Sequence, residues 1–175
     1  MKRNNIILVG MMGSGKSTVG KLLEEKLVDY NLVDIDQKIE DDEASTIPEI
    51  FETYTEIGFR RIESETILEV CEDNNLIIST GGGAFENEEN RKVLLNSGKV
   101  FYLYAPSELL YDRIKTAGNR PMLYGENPQE KFELLLGQRD INYRKADYII
   151  DTESLNANAV ADEILRRFNE TVDIS

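Results

Sequence analysis

One run constrains this chain more than any other: Gly10-Met11-Met12-Gly13-Ser14-Gly15-Lys16-Ser17. It has the spacing G-x-x-x-x-G-K-[ST], follows the apolar run Ile6–Val9 and opens a segment of helical pattern, 16–29. In that context glycines let backbone N–H groups converge on a phosphate, and the helix N-terminus adds its dipole. Lys16 would reach the β- and γ-phosphate oxygens, and the Ser17 hydroxyl would ligate Mg²⁺. The strand before and the helix after separate the run from a chance glycine turn. Such loops serve switches, motors and kinases alike, so what receives the phosphoryl group stays open.

The rest of the chain repeats the alternation of strand and helix. Near-continuously apolar runs at Asn5–Val9, Asn31–Ile35, Leu76–Thr80, Lys99–Ala105 and Tyr148–Asp151 read as strands of a parallel sheet covered on both faces. Asn127-Pro128-Gln129-Glu130 reads as N-cap, N1 proline and N3 glutamate of a helix carrying Phe132, Leu134, Leu135 and Leu136. Ser107 is expected to cap 108–117, Asn156 to cap the last helix through Phe168, and Gly98 to stop the helix that begins near Asn87. The expected class is an open α/β sandwich, one domain over residues 1–175. Only Thr116–Asn127 breaks the pattern, with two glycines, one proline and no periodicity; it reads as a lid.

Charge narrows the choice of partner. Against 33 Asp and Glu stand 20 Lys and Arg, a formal charge of −13, whereas a nucleic-acid backbone needs a basic face; no nucleic-acid partner is expected. An anionic ligand must be held locally, by arginines and backbone N–H groups, against the field of the whole molecule. The run Glu40-Asp41-Asp42-Glu43 reads as a solvated helix end. No apolar run approaches the ~20 residues of a membrane span, and no signal peptide is visible. The single cysteine, Cys71, suits a reducing compartment, so the expectation is a cytoplasmic protein without a membrane partner.

Further clusters fall at strand ends or on the loops beyond them, where ligands bind in open α/β sheets. Asp34-Ile35-Asp36 ends the second strand, and strand alternation points both carboxylates one way. One can hold magnesium through water while the other meets a hydroxyl; helix capping explains such a pair equally well on spacing alone. In Phe59-Arg60-Arg61-Ile62-Glu63, Arg60 and Glu63 share a helical face, as part of a site or as a surface ion pair. Thr80-Gly81-Gly82-Gly83 lets backbone approach a ligand closely, or is a flexible turn. Ser79 and Thr80 stand where motor-type P-loop proteins carry an acidic residue, which shifts the magnesium duty toward Asp34. Arg120, in Asn119-Arg120-Pro121 on the expected lid, could neutralise charge on a transferring phosphoryl group. Arg139 could pair bidentately with a carboxylate, and a solvated side chain is the alternative for each arginine. A GTPase switch is disfavoured: no D-x-x-G occurs, and Arg144-Lys145-Ala146-Asp147 precedes a strand and lacks the Asn of a base reader.

In their order, GMMGSGKST, DID, FRRIE, GGG, NRP and the later Arg139 resemble the shikimate kinase family, a branch of the nucleoside monophosphate kinase-like P-loop fold, over about Ile6 to Asp151. The resemblance implies a three-layer α/β/α fold with a five-stranded parallel sheet of order 2-3-1-4-5 and a mobile lid at approximately 116–127. It implies Mg²⁺-dependent transfer of the ATP γ-phosphate to the 3-hydroxyl of shikimate, on the route to chorismate and the aromatic amino acids. By the same likeness Gly13, Ser14, Gly15, Lys16, Ser17 and Thr18 hold ATP, and Ser17 and Asp34 serve one Mg²⁺. Asp36 matches the residue that contacts shikimate hydroxyls and is the candidate base. Arg60, Gly82 with its neighbours Gly81 and Gly83, and Arg139 match the clamp on the shikimate carboxylate, with Glu63 as the acidic residue that orients it. Arg120 matches the lid arginine reaching the ATP phosphates, and Arg113 resembles one that stacks on adenine. Length and family both point to a monomer.

Ala44 stands where members of the family commonly have glycine, Ile141 replaces a frequent proline, and nothing after Asp151 carries an adenine-contacting motif. An ordinary aspartate, with pKa ~3.9, is a poor base, so orientation of the acceptor is expected to matter more than basicity at Asp36. Two rivals stand beside this reading. One is another kinase of the same architecture acting on gluconate or a nucleoside monophosphate; FRRIE, GGG and the absence of a D-G-x-P-R-like segment argue against it. The other is a nucleotide-binding regulatory module without phosphotransfer.

Overall fold

Every residue of β1 (Asn5–Val9) is buried, which requires cover on both faces of its sheet. In the computed structural model, which describes residues 4–115 and 126–172, β1 is joined by β2 (Asn31–Asp34), β3 (Leu76–Ser79), β4 (Gly98–Tyr104) and β5 (Tyr148–Asp151). All pairings are parallel, in the order β2-β3-β1-β4-β5. Ile6 and Leu8 pack with Val19 and Leu23 of α1 (Lys16–Lys26) and with Val160, Ile164 and Phe168 of α7 (Ala157–Val172). Ile7 and Val9 point the other way, into a layer built by α2 (Ile35–Glu43), α3 (Ile47–Val70), α4 (Glu88–Ser97), α5 (Ser107–Ile114) and α6 (Pro128–Tyr143). Each fully buried Ile or Leu in these two layers contributes about 1.5–3 kcal/mol. The result is the expected three-layer α/β/α fold. No helix among the described residues is long and apolar enough to cross a membrane.

Two contacts lock the central strands together. Asn5 is fully buried; its side chain accepts from Leu76 N at 2.9 Å and donates to Asp73 O at 3.0 Å, tying the entrance of β3 to β1. Gly98, which ends α4 as expected and starts β4, has extended backbone, yet a Cβ there would lie 2.1 Å from Asn5 O. Close approach of two strands demands the glycine at this position.

Helix starts follow the sequence reading in part. Asn87 Oδ1 accepts from Glu89 N and Asn90 N at 2.8 and 3.1 Å, and Asn156 Oδ1 accepts from Ala159 N at 2.9 Å. Ser107 is instead the first residue of α5, with Pro106 at the cap. Asn127 holds the cap position of α6 ahead of Pro128, but in a left-handed conformation with no side-chain bond. The first helix stops at Lys26, short of Asp29, and the third strand stops at Ser79. The fourth strand runs from Gly98 to Tyr104, one residue earlier at each end than expected.

The second strand ends at Asp34, because the Asp34 side chain accepts from Asp36 N and Gln37 N and starts α2 there. Ala44 then closes α2 with φ 49 and ψ 37, the left-handed turn that glycine usually supplies. α3 opens with Thr46 N donating to Glu49 Oε2 at 2.8 Å, and it is kinked at Thr55, with φ 62 and ψ 177. The carboxyl ends of β1, β2, β3 and β5 bring Gly10–Gly15, Asp34–Asp36, Thr80–Gly83 and Thr152 to one rim of the sheet.

Candidate active site

The loop after β1 turns by two left-handed glycines, Gly13 at φ 82 and Gly15 at φ 91. Gly15 is also the N-cap of α1 and no side chain caps that helix, so none competes for its first amides. Lys16 Nζ donates to Gly10 O at 2.7 Å and Met11 O at 3.1 Å, which folds the ammonium back over the loop. Arg113 of α5 donates from Nη1 to Gly13 O at 3.2 Å. A cavity of about 480 Å³ is lined by Gly13, Ser14, Gly15, Lys16, Ser17 and Thr18, and runs past Arg113 to Thr152, Leu155 and Val160. Sequence reasoning missed that last wall. Small and apolar residues carry no chemical signature, and the one available signal was position, since the end of β5 lies on the same rim as the loop.

Asp34 takes the capping role that its spacing allowed, and its other oxygen accepts from two serines. Oδ1 accepts from Asp36 N and Gln37 N at 3.2 and 3.4 Å, the capping role. Oδ2 accepts from Ser17 Oγ at 2.9 Å and from Ser79 Oγ at 3.1 Å, which ties the phosphate loop to the ends of β2 and β3. Asp36 reaches the site from the first turn of α2, not from the alternation of a strand. Ser17 Oγ and Asp34 Oδ2 form a pair of hard oxygen donors, and Mg²⁺, which binds few protein oxygens and keeps several waters, fits that set.

Beyond this wall the Thr80–Gly83 loop forms a floor. A Cβ on Gly81 would lie 2.7 Å from Asp36 Oδ1 and 3.0 Å from Glu63 Oε1; on Gly82, 3.3 Å from Arg139 Nη1; on Gly83, 2.5 Å from Arg60 Nη2. None of the three has positive φ. Their lack of side chains makes room for charged groups, and the flexible-turn alternative falls away. Arg60 Nη1 donates to Glu63 Oε2 at 2.8 Å, and Glu63 is 1% exposed, so the pair is no surface bridge. Burial pushes the Glu63 carboxyl up, the Arg60 charge and hydrogen bond oppose it, the nearby Asp36 adds to the rise and Arg139 opposes it. Arg139, from α6, is buried, with Nη1 3.7 Å from Met11 Sδ.

These residues line a second cavity of about 1080 Å³ that includes Asp36, Arg60, Glu63, Gly81 to Gly83 and Arg139, with Phe51 and Phe59 stacked at 4.6 Å between centroids on its apolar side. Met12, Ser17, Asp34, Asp36 and Gly82 line both cavities. One chamber therefore suits a polyphosphate and the adjoining one an anion, and the carboxylates of Asp34 and Asp36 stand at the boundary. Arg120 and nearly all of the expected lid lie outside the described residues.

The comparisons agree with this geometry. The family model described as shikimate kinase matches residues 12–169. A shikimate kinase from Thermodesulfovibrio yellowstonii is 42% identical over 164 residues, 94% of each chain. Among solved structures, shikimate kinase from Acinetobacter baumannii in complex with shikimate superposes with a TM-score of 0.91 at 42% identity, covering 97% of this chain and 94% of the other. A gluconokinase from Sinorhizobium meliloti, with a TM-score of 0.65 at 16% identity over 98% of this chain and 95% of its own, shares the fold alone.

Proposed function

The chain belongs to the shikimate kinase family, and on that premise we propose how its residues divide the work of an ATP-dependent kinase that phosphorylates the 3-hydroxyl of shikimate. The observation that carries the reading is the wall shared by the two cavities, where Ser17 and Asp34 meet Asp36 and Gly82. ATP lies along the glycine loop with its γ-phosphoryl at that wall, and Lys16 swings from Gly10 O and Met11 O to the phosphates. Ser17 and, through water, Asp34 would hold Mg²⁺, which would supply positive charge to the phosphate oxygens.

Arg60 and Arg139, with the Gly82 backbone between them, grip the acceptor carboxylate, which holds the ring so that its hydroxyl faces Asp36. Glu63 keeps Arg60 in place from beneath. Asp36 then orients the hydroxyl and takes up its proton as the phosphoryl group moves; positioning and charge neutralisation provide most of the acceleration. Arg113 covers the base side of the nucleotide chamber, and Arg120 reaches the phosphates from the lid. Desolvated arginines in a pocket let a chain of charge −13 bind two anions. The reading includes a cytoplasmic monomer with a single domain over 1–175, acting on the way to chorismate.

ADP release measured with ATP and Mg²⁺ across shikimate, gluconate and the nucleoside monophosphates tests it. Release stimulated by shikimate alone is expected. Stimulation by gluconate or a nucleotide, or binding of ATP with no acceptor-dependent release, would replace it with another kinase or a regulatory module.

A further inference from the structure

Arg139 and Gly82 reach the acceptor cavity from different elements, one from α6 and one from the loop after β3, yet a carboxylate clamp needs them in fixed relation. Tyr143 stands one helical turn beyond Arg139, on the same face of α6. It is fully buried, and its hydroxyl donates to the carbonyl oxygen of Gly82. The neighbouring carbonyls of that loop are engaged within it: Gly81 O accepts from Ala84 N and Gly83 O from Glu86 N, both at 3.1 Å. The carbonyl of Gly82 turns instead toward α6, where Tyr143 meets it.

The same hydroxyl lies within the influence of Arg139. Burial pushes its ionisation up, and the Arg139 guanidinium works against that push. Arg139 Nη1 is itself 3.3 Å from where a Cβ of Gly82 would sit. The Tyr143 ring is held by Tyr102, at 4.9 Å between centroids, and Tyr102 in turn donates to Asp140 Oδ1 at 2.8 Å. Phenylalanine would fill the same space, so packing alone does not call for the hydroxyl.

We propose that Tyr143 is a positioning residue for the acceptor site: its hydroxyl couples the Gly82 peptide to the Arg139 guanidinium and holds both in the geometry that grips a carboxylate. This rests on the shikimate kinase reading above and deepens it, since Tyr143 touches no reacting atom. Without the hydroxyl the Gly82 carbonyl loses its donor and Arg139 loses that neighbour one helical turn away, so acceptor binding weakens, while the glycine loop of the phosphate chamber keeps its own contacts.

Steady-state kinetics of Tyr143→Phe, with shikimate and ATP varied in turn, test this. The KM for shikimate should rise about tenfold while kcat stays within about twofold and the KM for ATP is unchanged. Added to Arg139→Lys, Tyr143→Phe should cost little more, because both act on one clamp. An unaltered shikimate KM, an equal effect on ATP, full additivity with Arg139→Lys, or a variant that circular dichroism shows unfolded would each give the hydroxyl a merely structural role and overturn the proposal. The unsubstituted protein's own response to shikimate reports on the functional reading separately.

Discussion

Gly81, Gly82 and Gly83 each leave a gap that a charged side chain fills. At Gly83 an added methyl would sit 2.5 and 2.6 Å from the two terminal nitrogens of Arg60, so the guanidinium must move. Gly83→Ala is expected to raise the KM for shikimate by about tenfold and to leave the KM for ATP alone, as steady-state kinetics would reveal. Glu63 offers a second prediction. Burial holds its folded pKa above that of the unfolded chain, so its contribution to stability is full below about pH 4.3 and is lost as pH rises through the raised folded value. Thermal melts of the parent and Glu63→Gln should therefore diverge in favour of the variant as pH climbs out of that window; parallel curves would contradict the shift. At this scale the sequence marked side chains that the structure brings to the two cavities, because Asp, Glu and Arg in short motifs advertise their chemistry. It left the job of each glycine open, since close approach depends on what folds against the residue. The role of the Tyr143 hydroxyl was hidden for the same reason: its partner lies 61 positions away.

Among the elements, α3 carries Arg60, Glu63 and the backbone strain together. Thr55 adopts φ 62 and ψ 177, a region open to glycine and costly for a β-branched residue, by about 1–3 kcal/mol. The kink also sets Tyr54 against Gly58, where an added Cβ would fall 2.5 Å from Tyr54 Cβ. It divides Ile47 and Phe51, which line the outer side of the acceptor cavity, from Arg60 and Glu63. Thr55→Gly should raise the urea unfolding free energy by about 1–2 kcal/mol; an unchanged or lower value would mean that no strain is stored there. Helical periodicity runs unbroken through this stretch, so nothing local signalled the kink. The boundary at Ile35 was misread for a related reason, because the apolar run continues past the point where the Asp34 carboxylate captures two amides and begins a helix.

At the scale of the molecule, the order β2-β3-β1-β4-β5 lines up the strand ends so that residues far apart in the chain meet at one rim. The sheet and its layers were legible because each strand is a short apolar run bounded by turn residues; the order of the strands came only with the family resemblance. The far wall of the nucleotide chamber, Thr152 to Val160, was not legible: its role comes from the side of the sheet on which it lands. What unites the molecule is the boundary between two cavities, where Asp34 and Asp36 face both. Turnover of Asp36→Asn, measured alongside ATP binding, tests that arrangement most directly. A fall in kcat of about 10²–10⁴ with ATP affinity retained is the expected result. Near-parental turnover would contradict it and remove Asp36 from the reaction.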